Sequence, residues 1–465
     1  MTLLTAAQDR SLALGLKKRR EKLAKLIEHP VVLWSGSPAK RNFAANIFPF
    51  RASSHFLYFA GIPLVNAAIR LEAGRLELFM DNPPPEATLW HGAMPSRDEI
   101  GEMIGADRVY PLAELSSRAT GAATIAVQDL ATYQQQSRLL GRSVALSDQG
   151  ASIDRELAQA LVKLRSRHDD LALQELRHAA AVSVEAHKAG MQTTRTATTE
   201  AEIRGAMEGV IIAHNMSCAY NSIVTVQGEV LHNESYHNQL QPRDLLLADV
   251  GAETHNGWAA DITRIWAVSG RFSPTQRDIY QIVLKAHDDC IAKLHPGVEY
   301  RDIHLLAAET IAEGLVELEI LKGKPQDLVE MDAHALFFPH GVGHLLGLDV
   351  HDMEDLGDLA GYAAGRTRSD RFGLGYLRLN RPLESGMVVT IEPGFYQVPA
   401  ILNDAKLRDR YKDVVNWEKL EQFKDVRGIR IEDDVLITDV GAEVLTAELP
   451  TKIGEIEDLV LSAFG

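Results

Sequence analysis

The sequence predicts an α+β protein with two domains, residues 1–168 and 169–465. The chain has 465 residues, which is too long for one ordinary hydrophobic core. Strand and helix patterns are mixed in the first part of the chain and become strongly helical from about residue 154. Helices then alternate with strand pairs that look antiparallel, as is typical of an α+β fold. We therefore place the domain boundary inside the helical stretch, near residues 165–172.

The first domain is predicted to be a mixed α/β domain. Alternating or continuous apolar runs predict its strands, and apolar residues at helical spacing predict its helices. The helical patterns cover residues 7–28, 96–118 and 129–142, and the strand candidates are VVLWSG (31–36), LYFAG (57–61), two strands within 66–80 that turn at Glu72-Ala73-Gly74, and TIAVQ (124–128).

Capping boxes mark two helix starts in the second domain. They lie at Thr199–Glu202 and at Ser273–Gln276, where a hydroxyl residue is followed three positions later by Glu or Gln. A third helix is predicted over about 301–318. Strands are predicted at 222–228, 245–253, 257–268, 386–396 and 428–438, and residues 397–427 form a long polar excursion between the last two.

Composition and charge exclude several classes of function. The formal net charge is −16, from 48 basic and 64 acidic residues, which argues against nonspecific binding to nucleic acid or to an anionic membrane. The sequence contains neither a signal-peptide pattern nor an apolar run of about eighteen residues that would span a membrane. Two cysteines, Cys218 and Cys290, are too few for a disulfide framework or a thiolate zinc site. A cytoplasmic location is therefore the simplest expectation.

Four acidic residues interrupt strands that otherwise look buried. Asp249 lies in LLLADVG, Asp261 in GWAADITRIW, Glu392 in VVTIEPGFY and Glu432 in GIRIEDD. Asn256-Gly257 is a strong hairpin signal, and a hairpin there would place the two aspartates on adjacent strands. One such acid often only faces water on an edge strand. Four indicate a site, because an acid in an apolar environment is costly unless it is paired or binds a metal.

Three histidines fall within the segment HGVGHLLGLDVH (340–351). Its glycines disfavour a long helix, and the glutamate of the HExxH zinc motif is absent because Gly341 follows His340. We predict a glycine-rich loop that leads into a strand, LLGLDV (345–350), and directs His340, His344 and His351 into a site. Taken alone, they could equally be unrelated surface or core histidines.

Four carboxylates and one imidazole form a hard, oxygen-rich set of ligands. Such a set suits two divalent ions, for which manganese is the first choice, and magnesium, cobalt, iron or zinc are also compatible. Carboxylates can bridge two ions, and a water held between the ions is acidified into a nucleophile. These residues therefore predict a dimetal centre.

In order and local context, these residues resemble the pita-bread metallopeptidases, which include methionine aminopeptidase, aminopeptidase P (Xaa-Pro aminopeptidase), prolidase and creatinase. The contexts are DVG, DITR, HGVGH, TIEPG and GIRIEDD. Three longer motifs, DITRIWAVSGRFSPTQRDIY, HGVGHLLGLDVHD and IRIEDDVLIT, are similar to the proline-specific branch. PFRASSHFLYFAGIP (49–63) and, more weakly, ATLWHGAMP (87–95) are similar to aminopeptidase P. The resemblance covers nearly the whole chain. It implies an N-terminal creatinase/aminopeptidase P-like α/β domain and a C-terminal pita-bread domain with a curved antiparallel sheet.

The resemblance implies five metal ligands. Asp261 and Glu432 would bridge two ions, Asp249 would complete one ion, and His344 and Glu392 would complete the other. Glu392 would also act as the proton shuttle, taking a proton from the bridging water and passing it to the leaving proline nitrogen.

The resemblance also implies four further functional residues. His351 would polarise the scissile carbonyl or stabilise the oxyanion, and His340 and His232 would contact the substrate. Arg430 would fix a ligand carboxylate, expected to be that of Asp249. The alternative for Arg430 is a solvated strand residue.

Two features depart from the pattern of the family. Asp249 and Asp261 are twelve residues apart, one more than is usual, and we expect the extra residue in the turn around His255-Asn256-Gly257 rather than within a strand. Segments 354–385 and 397–427 are longer than in short aminopeptidases P. They could narrow the cleft and change the length of peptide that is accepted.

The resemblance implies a dimetal-dependent Xaa-Pro aminopeptidase that attacks peptides with proline at the second position through a metal-bridging hydroxide. Proline lacks an amide N–H and has a fixed φ, so general peptidases cleave poorly beside it. Prolidase, which cleaves only Xaa-Pro dipeptides, is the nearest alternative, and a non-catalytic pita-bread binding module is a third. The resemblance also implies a homodimer or homotetramer, in which a neighbouring N-terminal domain edges the active site.

Overall fold

The computed structural model describes residues 6–145 and 151–462, in two compact units. Unit 1 contains the chain up to Leu171 together with residues 255–257 and 353–360, and unit 2 contains the remainder. The outermost residues of the two predicted domains lie outside the described part. Both units combine helices with short sheets, which confirms the α+β prediction. In the described residues, no helix is long and apolar enough to span a membrane.

Unit 1 contains a four-stranded sheet with the order β1-β2-β3-β4, antiparallel except between β3 and β4. The buried side chains Trp34 and Phe79 belong to the core on this sheet. The elements in chain order are α1 (Ala6–Ala24), β1 (Val31–Trp34), α2 (Ser54–Ala60), β2 (Ala68–Glu72), β3 (Arg75–Phe79), α3 (Ala87–His91), α4 (Arg97–Ile104), β4 (Arg108–Tyr110), α5 (Leu130–Leu140) and α6 (Ser152–Arg165).

Two predicted strands of unit 1 are wrong. LYFAG lies in α2, which is buried along its whole length, and a short apolar run does not distinguish a buried strand from a buried helix. TIAVQ forms no ladder: its preceding residue, Ala123, makes a single bridge to Val31. A side-chain hydrogen bond replaces a backbone ladder bond there: the Thr124 hydroxyl donates to the Val32 carbonyl at 2.7 Å.

The helix predicted over residues 96–118 is interrupted. Gly105 ends α4 with a φ of 64°, a conformation that glycine adopts without the steric cost of a side chain. The chain then forms β4 and a 3-10 helix at Leu112–Ser117.

Unit 2 places short antiparallel ladders between long helices. Its sheets have the orders β6-β7-β9, β10-β13-β14, β5-β8 and β11-β12. From residue 170 onward the elements are α7 (Asp170–Thr193), α8 (Glu200–Ala213), β5 (Ser217–Cys218), β6 (Ile223–Thr225), β7 (Leu245–Asp249), β8 (Ala252–Glu253), β9 (Thr263–Ala267), α9 (Pro274–Ala292), α10 (Tyr300–Glu317), α11 (Pro325–Glu330), α12 (Asp358–Gly361), β10 (Val388–Ile391), β11 (Gly394–Tyr396), α13 (Pro399–Leu402), α14 (Ala405–Arg410), α15 (Trp417–Leu420), β12 (Gly428–Arg430), β13 (Asp433–Ile437), β14 (Ala442–Val444) and α16 (Ile453–Leu461), with 3-10 helices at Ala333–Leu336, Glu354–Leu356 and Glu421–Phe423.

Both predicted capping boxes mark helix starts, but only the one at Ser273–Gln276 is reciprocal, because the Glu202 carboxylate accepts from the Thr198 N–H instead of from Thr199. The Thr199 side chain accepts a hydrogen bond from the Glu202 backbone N–H at the start of α8. At the start of α9, Ser273 and Gln276 cap each other reciprocally. These helix starts are confirmed, because a cap depends on residues only three positions apart.

The hairpin that carries the two aspartates has an unbroken register. Its pairs run from Asp249 and Thr263 to Thr254 and Trp258, which leaves residues 255–257 as a three-residue loop. The last residue of this loop is a glycine with a φ of 90°, as three-residue hairpin loops often require. The ladder contains no bulge that would turn either carboxylate away, which is compatible with the prediction that the extra residue lies in the turn.

Candidate metal centre

Asp261, His344 and Glu432 form a buried cluster of potential metal ligands. One donor atom from each residue lies within 4.8 Å of the other two. His344 Nε2 is 3.4 Å from Asp261 Oδ2. His344 Nδ1 lies 3.0 Å from the Leu345 carbonyl oxygen and donates to it, so Nε2 presents its lone pair to the carboxylates. This tautomer is the one that a metal ligand needs.

The two other predicted ligands lie beside this cluster. Glu392 Oε1 is 3.6 Å from His344 Nε2. The hydroxyl of Tyr220 is 2.6 Å from Oδ1 of Asp249 and 2.6 Å from Oδ1 of Asp261. The structure thus brings together five side chains that lie far apart in the sequence.

The electrostatics of the cluster fit divalent cations. Burial, followed by repulsion from neighbouring carboxylates, raises the pKa of Asp261, Glu392 and Glu432 well above the usual range. Without a counter-ion these acids would take up protons. Divalent ions reverse that tendency because they neutralise the repulsion and replace the lost hydration. Carboxylate oxygens with one imidazole therefore form a suitable cage for hard or borderline metals.

Arg430 is hydrogen-bonded to the Asp249 carboxylate directly and to the Glu432 carboxylate through Thr263. Its Nη2 donates to Asp249 Oδ2, its Nε donates to the Thr263 hydroxyl at 3.0 Å, and its Nη1 donates to the Tyr396 hydroxyl at 3.0 Å. The Thr263 hydroxyl in turn donates to Glu432 Oε2 at 2.6 Å. One buried guanidinium therefore supports two of the carboxylates, directly at Asp249 and through Thr263 at Glu432.

His340 is a neutral imidazole that lies beside Glu392. Its Nε2 lies 2.9 Å from the Tyr396 hydroxyl, and its Nδ1 lies 2.7 Å from the Gly341 carbonyl oxygen. Burial and the charge of Arg430 lower the pKa of His340 to about 3. Nδ1 therefore carries the proton and donates to the carbonyl, while Nε2 accepts from Tyr396. Nδ1 is also 3.6 Å from Glu392 Oε2.

His351 and His232 are less buried than the ligand cluster. The His351 ring contacts the His344 ring at an angle of 71°, with the ring centres 4.3 Å apart. Partial burial and the charge of Arg430 lower the pKa of His232, which favours the neutral imidazole. The His351 ring is therefore close enough to the cluster to meet a substrate bound there.

The predicted strand at 345–350 is wrong, and the glycine-rich loop extends through this segment. Leu345 makes one bridge to Val389, after which the chain curls so that the Asp352 N–H donates to the Leu345 carbonyl at 2.9 Å. The loop keeps His344 and His351 on neighbouring positions, whereas an extended strand would separate them.

Gly343 allows the loop to approach β10 closely. Its φ is 154°, and a Cβ there would lie 2.2 Å from both the Thr390 carbonyl oxygen and the Tyr300 hydroxyl. The close approach lets the Thr390 N–H donate to the His344 carbonyl at 3.0 Å. A side chain at this position would therefore displace His344.

Sequence reasoning missed three hydroxyl residues of the centre: Tyr220, Thr263 and Tyr396. Thr263 and Tyr396 lie in strands where either residue is common, so their presence carries no chemical signal. Tyr220 lies between β5 and β6, outside any periodic pattern. Only the folded chain shows that their hydroxyls meet carboxylates, His340 or Arg430.

Comparison with known protein families identifies both parts of the chain. Residues 174–439 match the model of metallopeptidase family M24, and residues 16–127 match the model of the aminopeptidase P N-terminal domain. The first match covers the whole cluster described above. It also covers more than half of the chain.

Full-length relatives lead to the same family. The chain is 34% identical to a probable Xaa-Pro aminopeptidase of Penicillium rubens over 89% of each protein. It is 30% identical to the human Xaa-Pro dipeptidase, over 92% of this chain and 87% of the relative. A structure of Escherichia coli aminopeptidase P in complex with substrate matches with a TM-score of 0.78 and 28% identity, over 97% of this chain and 98% of that one. This likeness confirms the predicted pita-bread architecture. The chain therefore belongs to metallopeptidase family M24 and begins with an aminopeptidase P-type N-terminal domain.

Proposed function

We propose that this protein is a dimetal-dependent Xaa-Pro aminopeptidase, which hydrolyses the bond between an N-terminal residue and a following proline. The observation that carries the proposal is the buried cluster of Asp261, His344 and Glu432, whose donor atoms lie within 4.8 Å of one another. It occurs in a chain whose relatives of nearly equal length include Xaa-Pro aminopeptidases.

Two divalent ions are assigned to this cluster, with manganese as the first choice. Hard carboxylate oxygens with one imidazole support manganese, and zinc, cobalt, iron or magnesium are also compatible. The proposed ligands are Asp249, Asp261, His344, Glu392 and Glu432. When bound, the ions supply Lewis acidity and lower the pKa of the attacking water.

Glu392 is the proposed proton carrier. One of its carboxylate oxygens faces His344 Nε2 and the other faces His340 Nδ1, each at 3.6 Å. The Glu392 carboxylate therefore lies between His344 and His340. It can take the proton from the attacking water and deliver it to the proline nitrogen as the peptide bond breaks.

Three histidines are the proposed substrate contacts. The position of His351 beside His344 supports a hydrogen bond from its imidazole to the scissile carbonyl oxygen, which strengthens as negative charge develops there. His232 and His340 are proposed to hold the peptide. Arg430 acts indirectly, because it holds Asp249 in place.

One observation favours prolidase as a second candidate. Arg378 contributes positive charge near the site. Burial and the charge of Arg430 are the main causes that lower the pKa values of His232 and His340, and Arg378 adds a smaller lowering. The backbone of residues 376–378 packs directly on Gly341, so the chain that carries Arg378 runs beside the glycine-rich loop. A fixed cation could pair with the terminal carboxylate of a dipeptide, which a longer peptide does not present at that position.

A paired hydrolysis assay tests the proposal. Manganese-loaded protein is given either the dipeptide Ala-Pro or the longer Ala-Pro-Ala-Ala, with a chelator-treated sample as the control. Metal-dependent release of alanine from the longer peptide supports the aminopeptidase. Turnover of Ala-Pro alone would instead establish the prolidase. Turnover of neither substrate by metal-loaded protein would overturn both assignments and favour a binding module.

A cytoplasmic homodimer or homotetramer completes the proposal. Leu89 and Trp90 on α3 are 78% and 76% exposed, and neighbouring large apolar side chains on a surface support an interface between subunits. Cys218 and Cys290 are both free, which is compatible with a reducing compartment.

A further inference from the structure

The proposed substrate contact His232 lies in a loop that follows β6 (Ile223–Thr225). Its imidazole is partly exposed, whereas the side chain of the next residue, Asn233, is buried. A partly exposed side chain keeps much of its rotamer freedom, so the position of the imidazole depends on how firmly the neighbouring backbone is held. The contacts of Asn233 therefore show what holds this loop.

Asn233 is bound to the last residue of β6. Its Nδ2 donates to the Thr225 hydroxyl at 2.7 Å, and its Oδ1 accepts from the Ser235 N–H at 2.8 Å. Because a backbone N–H can only donate, the second bond fixes the orientation of the Asn233 amide. The amide thus joins the residue after His232 to β6 and also shapes the turn that follows.

The Thr225 hydroxyl is buried and uses all of its hydrogen-bonding capacity. It donates to Glu200 Oε1 at 3.1 Å. It accepts from Asn233 Nδ2 and, at 2.9 Å, from the Gln227 N–H. A hydroxyl has one proton and two acceptor positions, and all three are occupied. Since Gln227 precedes His232 and Asn233 follows it, this one hydroxyl holds the loop on both sides of the imidazole.

Glu200 is the buried end of this hydrogen-bond network. It lies in the first turn of α8, and its side chain is fully buried. Its Oε1 also accepts from the Val226 N–H at 2.7 Å and from Asn238 Nδ2 at 3.0 Å. A carboxyl group in such a place is costly unless hydrogen bonds satisfy it. The loss of one member of the network therefore weakens the hold on the whole loop.

The strand β6 connects the network to the proposed metal ligands. It pairs with β7, so that Ile223 lies opposite Asp249 and Thr225 lies opposite Leu247. Thr225 is therefore two positions along the ladder from a proposed ligand. Because backbone hydrogen bonds set the register of this ladder, an anchor at Thr225 holds the loop relative to Asp249.

We propose that Thr225 is a positioning residue for His232. Its hydroxyl joins Glu200 to Asn233 and so holds the loop in the conformation that presents the imidazole to the peptide. This inference rests on the proposed function, in which His232 holds the peptide. Without the hydroxyl, three polar groups lose a hydrogen-bond partner, and the loop gains conformations in which His232 does not meet the peptide.

The test uses substitutions that keep the size of the side chain. Thr225→Val has the same shape but lacks the hydroxyl, and Thr225→Ser keeps the hydroxyl. Thr194→Val is the matched control in the same unit, because Thr194 is also buried. Its hydroxyl donates to the Gly190 carbonyl at 2.9 Å and accepts from Trp266 Nε1 at 2.8 Å.

The first readout is peptide kinetics of manganese-loaded protein with Ala-Pro-Ala-Ala. We expect Thr225→Val to raise KM about 3- to 10-fold, the effect of losing one hydrogen bond to the peptide. Its kcat should stay within about twofold of the wild-type value, because this contact is made in the ground state and in the transition state. Thr225→Ser and Thr194→Val should keep the wild-type KM. An unaltered KM in Thr225→Val, or an equal increase in Thr225→Ser or Thr194→Val, would overturn the proposal.

A double variant separates positioning from general damage. His232→Ala removes the imidazole itself. In that background, Thr225→Val should raise KM by less than about twofold, because a residue that acts through His232 has nothing left to position. The same increase of KM in both backgrounds would contradict the positioning role. So would a weaker manganese affinity of Thr225→Val, which would place the damage at the metal ligands.

Amide hydrogen exchange examines the network without activity. Exchange over residues 227–238 should accelerate in Thr225→Val, but not in Thr225→Ser or Thr194→Val. Unchanged exchange in Thr225→Val would show that the hydroxyl does not hold the loop and would overturn the proposal. Wild-type protein that turns over no Xaa-Pro peptide would overturn the proposed function instead, and the exchange data would still show whether Thr225 holds the loop.

Discussion

The hydroxyl of Tyr220 lies 2.6 Å from Oδ1 of Asp261. It lies at the same distance from Oδ1 of Asp249, although a hydroxyl has only one proton to donate. Tyr220 therefore holds two proposed ligands, one from each side of the hairpin, around a single point. We therefore expect the tyrosine to orient the two proposed ligands through its hydroxyl.

Tyr220→Phe should weaken manganese binding about tenfold or more, because loss of a group that orients metal ligands typically has this effect. Competition with a chelator of known affinity measures the change. Tyr236→Phe is the control, since the Tyr236 hydroxyl donates to the Ser222 carbonyl at 2.6 Å and contacts none of the proposed ligands. Equal manganese affinities in the two variants would show that Tyr220 does not organise the site.

Arg430→Lys should lower manganese affinity or kcat/KM about 10- to 100-fold, although the charge is kept. A lysine ammonium cannot reach Asp249, Thr263 and Tyr396 together as the planar guanidinium does. Arg427→Lys serves as the control, because Arg427 is a partly exposed neighbour that pairs with Glu229 outside the site. Titration of metal into the metal-free variants and peptide kinetics provide the two readouts. Wild-type values for Arg430→Lys would mean that charge alone is sufficient at this position.

Arg378→Met should lower kcat/KM for the dipeptide Ala-Pro about tenfold or more, the usual loss for a hydrogen bond to a charged group. The dipeptide amide Ala-Pro-NH2 is the matched substrate, because it lacks the terminal carboxylate. We expect the wild-type protein to prefer the free acid and the variant to lose that preference. If the wild-type protein and the variant each have equal kcat/KM values for the two substrates, Arg378 does not bind the substrate carboxylate.

Gly343→Ala should destabilise unit 2 by about 3 kcal/mol, because the new Cβ meets backbone and buried hydroxyl atoms that cannot move away cheaply. Chemical denaturation of the metal-free protein measures the change. Gly205→Ala is the control, since no heavy atom lies within 4 Å of a Cβ placed there. Gly205 lies in α8, so this substitution should be neutral or stabilising by up to about 1 kcal/mol. A tolerated Gly343→Ala would mean that the loop can shift without strain.

Acid should destabilise the protein partly through His304. Burial lowers the pKa of His304 to about 4, below the value of about 6.5 for an unfolded histidine. Between about pH 6.5 and 4, His304 is therefore protonated in the unfolded chain but neutral in the folded chain. The free energy of unfolding decreases as the pH falls through this range. Between pH 7.5 and 5 this single group should contribute a loss of about 2 kcal/mol.

His304→Gln should reduce that loss, because glutamine does not titrate and can still donate to the Gly373 carbonyl, which His304 Nε2 meets at 2.9 Å. The free energy of unfolding at pH 7.5 and at pH 5 gives the comparison. His178→Gln, at an exposed position of α7, should leave the acid-induced loss unchanged. The assignment is wrong if both variants lose as much stability as the wild-type protein.

Local features were predictable because their determinants lie within a few residues of each other. The caps at Thr199 and Ser273 need a hydroxyl and a partner three positions later, and the loop at 255–257 needs its glycine. The four acids were visible for a related reason: a charge in an apolar strand is anomalous wherever the strand is placed. Length did not decide between a buried strand and the buried helix α2, since both are short apolar runs.

The sequence by itself predicted a divalent-metal site, because a carboxylate within an apolar strand is costly unless it is paired or binds a metal. Its motifs, through their resemblance to known metallopeptidases, predicted the family. Only the tertiary structure decided which hydroxyls support those ligands. Tyr220 and Thr263 act through hydrogen bonds to residues that are distant in the sequence, as from Tyr220 to Asp261 and from Thr263 to Glu432. A hydrogen bond across such a separation leaves no periodic or local trace, because it exists only once packing has brought donor and acceptor together.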